Sequence, residues 1–432
     1  MLDSFFKLKE HGTSVKTEII AGFTTFLTMG YIIFVNPDIL AQAGIDRDAA
    51  FVATCLAAAI GTLLMGLIAN YPIALAPGMG VNAFFTYTVV LGQGYTWQMA
   101  LGAVFISGIL FLILSVLPIR EWIINAIPRS QKMAIAAGIG LFLAIIGLQN
   151  MSIVVDHPAT LVTLGDLSQP PVLLSIFCFL MIVTLEIRKI PGAIIISIIA
   201  TTLLGMALGI AEFKGIISAP PSLAPTFAQL DIAGAFNIGM TGIIIAFLFV
   251  HMFDTAGTLV TVANSAGLLD KKGNLPRLGR TLLADSTSML AGSVVGTSPV
   301  TSYIESTAGV NAGGRTGLTA VVVALLFLAS LFFAPLVSSI PSYATFPVLL
   351  FVATLMMKNI TLIDWDDMTE YVPAVVTVVI MPLSFSIADG IGFGLITYAF
   401  LKLVSGKIDK SNVSVVVIAA IFVLKYAFLG TH

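Results

Sequence analysis

Fifteen apolar runs follow one another with little polar sequence between them, and this leaves the chain few ways to fold. They lie near 19–36, 49–70, 72–92, 97–117, 132–153, 171–188, 190–211, 240–264, 281–296, 298–313, 316–338, 343–358, 371–387, 389–405 and 412–429. A helix needs roughly 17 to 25 apolar residues to cross the hydrocarbon of a bilayer. Only 10% of the 432 residues are charged, against about 25% in soluble domains, and the mean hydropathy is +1.04. No polar stretch is long enough to build a soluble core. The expected class is an all-α polytopic membrane protein.

A Pro-rich connection at 212–239, with Pro220, Pro221 and Pro225, divides the first fourteen runs into seven plus seven. The positive-inside rule tests that count. With the N-terminal segment (1–18) cytoplasmic, seventeen of the twenty Lys and Arg residues fall on the inner side, and only Arg47, Lys214 and Lys425 fall outside. One missed span would scramble this bias. Seven is odd, so two like-folded halves must be inverted relative to each other.

Traces of that repeat are present. Leu141, Phe142, Ala144 and Asn150 of span 5 match Leu350, Phe351, Ala353 and Asn359 of span 12 without a gap. Gly94, Thr96 and Ala100 at span 4 match Gly314, Thr316 and Ala320 at span 11. Spans 3 (LAPGMGVNAFF) and 10 (TSPVTSYIEST) both break at a proline, with Asn82 five residues after Pro77 and Glu305 six after Pro299.

The stretch Gly296–Arg315 carries the most chemistry. Pro299 removes a backbone donor, small and hydroxylated residues surround it, and Glu305 sits in the middle. A carboxylate in hydrocarbon costs a few kcal/mol or more and so faces a cavity by default. Non-helical backbone at this depth survives only where protein or trapped water satisfies it. An extended piece at about Thr297–Thr301, followed by a half-helix from Ser302, meets both conditions and turns a helix N-terminus toward the site. A loop outside the membrane is the plainer alternative.

Three acids lie within apparent spans: Asp254 in span 8, Asp285 at the start of span 9, and Glu305 in span 10. Asp254 and Glu305 are expected to face one another across a cavity, one holding ligand and one exchanging a proton, since burial lets a carboxyl load and release H⁺ near neutral pH. All three are proton-coupling candidates. Asp285 also has a structural reading, bonding Ser286, Thr287 or the broken backbone of span 10. His251 precedes Asp254 by three residues on one helical face and either tunes that acid or packs. Gly80 and Thr301 belong to the breaks, whose freed backbone groups suit a planar hydrogen-bonding ligand. Phe84, Phe85, Phe253 and Tyr303 are candidates to stack on a flat ring. Thr24, Thr25, Thr28 and Asn36 of span 1 serve either the site or helix packing. Asp364, Asp366, Asp367 and Glu370 read as a solvated linker. Cys55 and Cys178 read as small core residues, and four scattered histidines suggest no metal site. No cleavage pattern follows the first apolar run.

The motifs HGTSVKTEIIAGFTTFLTMGYIIFVNP, ALAPGMGVNAFF, FDTAGTL and GTSPVTSYIESTAGVNAGGRTGLTAVVV resemble the AzgA-like branch of nucleobase permeases, over about Phe6 to Val404. The resemblance implies the uracil-permease fold, with short strands and half-helices in spans 3 and 10. It implies a core domain (19–117 and 240–338, spans 1–4 and 8–11) and a gate domain (132–211 and 343–405, spans 5–7 and 12–14). Run 412–429 stands apart. Carried over by motif, Asp254 and Glu305 bind the base, Tyr303 matches the aromatic before the span-10 acid, and Asn82 follows the span-3 break. Thr258, also expected to bind the base, stands where uracil permease has a histidine after the span-8 acid, a departure that leaves a proton path through such a histidine without support from the resemblance.

The implied function is import of purine nucleobases, adenine or hypoxanthine/guanine, by proton symport across a bacterial inner membrane. No cofactor beyond the proton gradient, no metal and no nucleic acid is expected; a homodimer through the gate domain is. A sulfate-type anion transporter on the same fold is the second reading. An intramembrane enzyme is the third, and neither HExxH nor GxSxG is present to support it.

Overall fold

The computed structural model of the chain describes residues 2–117, 128–269, 275–407 and 413–428. Arg120, Lys271, Lys272 and Lys410, which enter the charge bias, lie outside them, as does the side chain of Phe253. The described chain is mostly helical. Among the described residues, nine helices are long and apolar enough to cross a membrane on that ground alone, and four shorter apolar ones accompany them, among them Met79–Gly92, Ala193–Ala207 and Met368–Leu383 of spans 3, 7 and 13. Length and composition thus qualify nine helices, not fourteen. Span 9 is a full helix, Leu278–Val295, but a more polar one.

Span 1 breaks at Gly30 into Val15–Met29 and Ile32–Gln42, and so runs further than its apolar core suggested. Span 2, Arg47–Leu64, ends in a π-helical turn, Met65–Ala69, and left-handed Asn70. Asn70 then ties two distant segments, donating to the Phe6 carbonyl at 3.0 Å and accepting from Gly317 N at 2.7 Å. The matched threonines do matched work: Thr96 caps span 4 (Trp97–Val116) and Thr316 caps span 11 (Gly317–Ser330). A hydroxyl there satisfies one of the donors a helix start leaves open.

Spans 3 and 10 hold two three-residue strands, β1 (Leu75–Pro77) and β4 (Val300–Ser302). They pair antiparallel, Leu75 with Ser302, Ala76 with Thr301 and Pro77 with Val300, the direction expected of elements in inverted halves. Between them in sequence, β2 (Val154–His157) and β3 (Leu161–Leu164) form a hairpin after span 5 that the apolar pattern did not signal. The half-helix of span 10 is Ser306–Asn311, four residues later than expected. Ser302 stays extended because it pairs with Leu75, and Tyr303 N continues the ladder to Ala74 O at 2.9 Å. Thr297 instead closes the end of span 9, its N–H bonding Gly292 O.

Spans 5 (Arg129–Asn150), 12 (Pro347–Met357), 13 (Met368–Leu383) and 14 (Ile387–Val404) pack together. Spans 2, 4, 9 and 11 pack as another group around the strands. The C-terminal run forms a helix, Val413–Phe428, laid on span 14, where Phe422 meets Gly392 and the Tyr426 hydroxyl reaches Asp389 at 2.9 Å. Cys55 and Cys178 are buried free thiols.

Glu370 departs from the solvated-linker reading. Lys402 of span 14, itself buried, pairs with it at 2.7 Å, and Ser130 of span 5 and Tyr398 donate to it. Asp364 and Asp366 are exposed as expected. The Lys407 ammonium, followed by the N–H and hydroxyl of Thr369, holds Asp367 below the usual carboxylate range. That contact is therefore present near neutral pH and is lost as the pH falls.

Glu18 was not singled out in the sequence, yet it is fully buried. Its carboxylate accepts from Arg315 N (2.9 Å), Thr316 N (3.3 Å), Thr319 N (3.1 Å) and Thr319 Oγ1 (2.6 Å), fastening span 1 to the start of span 11. Glu18→Ala leaves those donors unmet and is expected to cost roughly 3 kcal/mol or more. Melting of the purified protein in detergent should fall by several degrees, with a smaller fall for Glu18→Gln, which keeps an acceptor.

Candidate functional site

The strand pair is held from behind. Thr62 of span 2 donates its hydroxyl to Leu75 O and accepts from Leu75 N, both at 2.9 Å. Ala74 N donates to Ser306 Oγ at 3.0 Å and Gly78 N to Pro299 O at 2.9 Å. Tyr303 is buried, and its hydroxyl donates to Pro77 O at 2.5 Å. The backbone groups freed by the two prolines are thus largely answered by protein, the condition for keeping irregular backbone inside a membrane.

Glu305 sits at the N-cap of the half-helix. Tyr31, at the break in span 1, donates to its Oε1 at 2.6 Å, and Thr28 Oγ1 lies 3.4 Å from its backbone carbonyl. Asp254 lies midway along span 8, Ile238–Ser265. Thr301 of β4 points its hydroxyl at Asp254 Oδ2 from 3.4 Å, a long contact. Asp254 and Glu305 are half-buried residues, as is Gly80 of span 3. Tyr31 and Thr301, which meet the two acids, are buried, and so are Tyr303, Thr258, Asn82 and Phe84. Added atoms at Gly80 would run into Ile139 of span 5, 2.6 Å from where a Cβ would stand.

Asp285 of span 9 is fully buried and, of the partners first considered for it, reaches the break of span 10, through a side chain there and not through Ser286 or Thr287. It accepts from Ser302 Oγ at 3.0 Å and Thr255 Oγ1 at 2.8 Å, and lies 2.7 Å from His251 Nε2. His251 therefore serves the span-9 acid. The 3.6-residue period put it on the Asp254 side of span 8, but that period cannot say which neighbouring helix supplies a partner. Phe111 packs edge-on to its ring.

Asn82 joins a buried polar cluster. Its Nδ2 donates to Asn36 Oδ1 at 2.6 Å, and Asn36 Nδ2 donates to Thr54 and Thr297 at 2.7 and 2.9 Å. Ser298 also donates to Asn36. The cluster ties span 1 to both breaks. Phe84 packs edge-on against Phe247, and Phe85 is buried with it. Thr24 and Thr28 bond carbonyls of their own helix. Tyr31 and Thr255 are the contacts the sequence did not reveal. One is a tyrosine among many, the other a helix hydroxyl, and only the fold puts the first on Glu305 and the second on Asp285.

The family model described as the Permease family (Xan_ur_permease) matches residues 16–393. This chain belongs to that family. It is similar to the adenine permease AdeP of Escherichia coli (strain K12), 49% identical over 100% of this chain and 97% of the relative. It is 47% identical to the guanine/hypoxanthine permease PbuG of Bacillus subtilis (strain 168), over 99% of this chain and 100% of the relative. A putative permease of Methanocaldococcus jannaschii is 54% identical over 99% of each chain. Among solved structures, the transmembrane domain of the cyanobacterial bicarbonate transporter BicA aligns with a TM-score of 0.66, at 15% identity over 86% of this chain and 96% of that one. Murine Slc26a9, an anion transporter in an inward-facing state, aligns with a TM-score of 0.63, at 10% identity over 89% of this chain and 68% of that one. At such identities the likeness shows the fold. The protein is a permease, not an enzyme, and a multi-pass membrane protein.

Proposed function

We propose that this permease imports purine nucleobases, adenine or hypoxanthine/guanine, across the plasma membrane together with protons. The observation that carries this reading is a pair of half-buried acids at one break, Asp254 facing Thr301 of β4 and Glu305 just beyond β4 in the chain, beside buried polar side chains. Two acceptors of this kind suit the N–H-rich edge of a purine. Relatives named adenine and guanine/hypoxanthine permeases match the whole chain.

Glu305 and Asp254 accept ring N–H or amino protons of the base. Gly80, which gives room to Ile139, belongs to the span-3 segment beside the base, and Thr301 supports Asp254. Tyr303, Asn82, Phe84 and Thr258 act from behind, holding the breaks in place. A proton taken up on one of the acids, Asp254, Glu305 or Asp285, drives import.

Spans 1–4 and 8–11 form the core that carries the base, and spans 5–7 and 12–14 the gate, through which two copies pair. Among the described residues, the hydrogen bonds joining these two sets gather at the end where span 1 gives way to span 2. Arg47, paired with Asp38 at 2.6 Å, donates to Ile340 O just ahead of span 12, and Thr345 donates to Asp38. Gln42 and Tyr87 meet Asn150, and Thr88 donates to Phe385 O. With a cytoplasmic N-terminus that end is the outer one, so the site would open inward, one state of an alternating-access cycle.

The sulfate-type reading is weaker, because two carboxylates at the site repel an anion. Uptake of radiolabelled adenine, hypoxanthine, guanine, uracil and xanthine, with sulfate alongside, in cells lacking their own permeases tests the choice. Entry of a purine above the empty host is expected. Entry of sulfate with no base would overturn the reading.

A further inference from the structure

Asn150 and Asn359 match in the repeat, yet they stand in opposite conditions. Asn150, at the end of span 5, is fastened to the core: Gln42 Nε2 donates to its Oδ1 at 2.9 Å, and its Nδ2 donates to Tyr87 Oη at 3.1 Å. The match of spans 5 and 12 carries Asn150 onto Asn359 without a gap. Asn359 lies half-buried in the 3₁₀ turn Lys358–Leu362 that follows span 12. Among the described residues its side chain bonds only Met356 O, in its own span, at 2.8 Å.

Gln42 of span 1 has its own counterpart in span 8. Gln42 and Ser265 are the last residues of the helices Ile32–Gln42 and Ile238–Ser265. Each is followed by an alanine and then a left-handed glycine, Gly44 at φ 84° and Gly267 at φ 66°. The closing bonds are the same: Gly44 N to Ala41 O and Ile45 N to Leu40 O, against Gly267 N to Asn264 O and Leu268 N to Ala263 O. The spacing that carries Gln42 to Ser265 also carries Asn82 to Glu305, the polar residues after the two breaks. Asn264 and Ser265 are exposed, and Ser265 Oγ bonds Thr261 O of its own helix at 3.0 Å. The contact between Gln42 and Asn150 therefore has no equivalent between Ser265 and Asn359.

We propose that Asn359 and the Asn264–Ser265 end of span 8 form a second latch, made when the contact of Gln42 with Asn150 opens. Two halves of like fold and opposite orientation can trade conformations, and a contact one half makes at one end is then remade by the other half at the opposite end. In this structure Gln42 and Asn150 hold the outer end shut. After the core has moved, Asn359 and span 8 hold the inner end shut while the site faces outward. Carboxamide and hydroxyl groups supply the donors and acceptors for that contact. Their present bonds, to Met356 O and Thr261 O, occupy them while the inner end is open. This inference rests on the proposed cycle of core against gate.

The test uses the full-length protein in proteoliposomes, carrying Ser265→Cys with Asn359→Cys. Each single variant controls for the buried native thiols Cys55 and Cys178. Copper phenanthroline oxidises the pair, and free thiols are counted with a maleimide after denaturation. A disulfide needs Cβ atoms about 3.5–4.5 Å apart, so it reports approach of the two segments. The double variant should lose two thiols and the single variants none. Linking should cut uptake of adenine or hypoxanthine about tenfold or more, because a locked conformation cannot complete the cycle, and dithiothreitol should restore it. Asn150→Cys, added to the pair, reads the opposite end. Its thiol should react faster with a membrane-impermeant maleimide once the inner pair is linked, because Gln42 has moved away. If the pair does not insert, Asn264→Cys with Asn359→Cys takes its place. Absence of linking, linking without loss of uptake, or unchanged labelling at position 150 would each overturn the proposal. Linking and labelling are also read without a purine. Failure of the wild type to move any base would therefore bring down the purine reading and leave these two measurements to decide this inference.

Discussion

Glu305→Gln should reduce purine uptake by about 100-fold or more with little change in the amount of protein in the membrane. Tyr31 donates to Glu305 Oε1 at 2.6 Å, and the amide oxygen of glutamine can still accept that bond, so the local fold survives. The second carboxylate oxygen becomes an NH₂ group. A donor then faces the donor edge of the base, the charge is gone, and a polar group in the site is left without its partner. Losing a hydrogen bond to a charged group costs roughly 1.5–3 kcal/mol, and an unmet buried partner adds about 1–3 kcal/mol more. At about 1.4 kcal/mol per factor of ten, the sum reaches two orders of magnitude. Initial uptake rates set against membrane-resident protein check this, and a variant within threefold of wild type would remove Glu305 from the site.

Asp254→Asn should be nearly as damaging but in a different pattern. Asparagine can still accept from Thr301, whose 3.4 Å contact is long and weak. It cannot take up a proton, and its amide presents a donor to the base. Half-saturating base concentration should rise by about 10- to 100-fold, as expected for one charge-assisted hydrogen bond. Accumulation driven by a proton gradient should disappear even at saturating base. Full gradient-driven accumulation by Asp254→Asn would exclude this acid from coupling. The double variant should be little worse than the poorer single one, because both acids hold the same ligand and their effects do not add.

The class of fold was legible because the bilayer imposes its own arithmetic. Apolar length sets the helices, and an odd count of spans in each half would demand inversion. The breaks in spans 3 and 10 were legible from Pro77 and Pro299. Where each strand begins and ends was not: a strand in this setting is fixed by its partner, and Ser302 remains extended only because Leu75 lies across from it. The same limit applies around the acids. Asp254, Asp285 and Glu305 stand out in apolar sequence, because a carboxylate there needs a reason. Their partners do not stand out. Tyr31 reaches Glu305 across 274 positions, Ser302 reaches Asp285 across 17, and His251 reaches Asp285 across 34. Helical period correctly set His251 on one face of span 8, but the neighbouring helix decided which acid it met. Glu18 escaped notice for a related reason. At the polar edge of span 1 it reads as an interfacial charge, and only the approach of span 11 turns it into a buried cap.

The most direct measurement places the purified protein in sealed proteoliposomes with labelled adenine or hypoxanthine outside and an imposed pH gradient, acid outside. Proton-coupled purine import predicts that one of these bases accumulates inside above its outer concentration, and that a protonophore abolishes the excess. Equal base concentrations on the two sides whether or not the gradient is present would contradict proton coupling. Entry of sulfate but of no base would contradict the whole account.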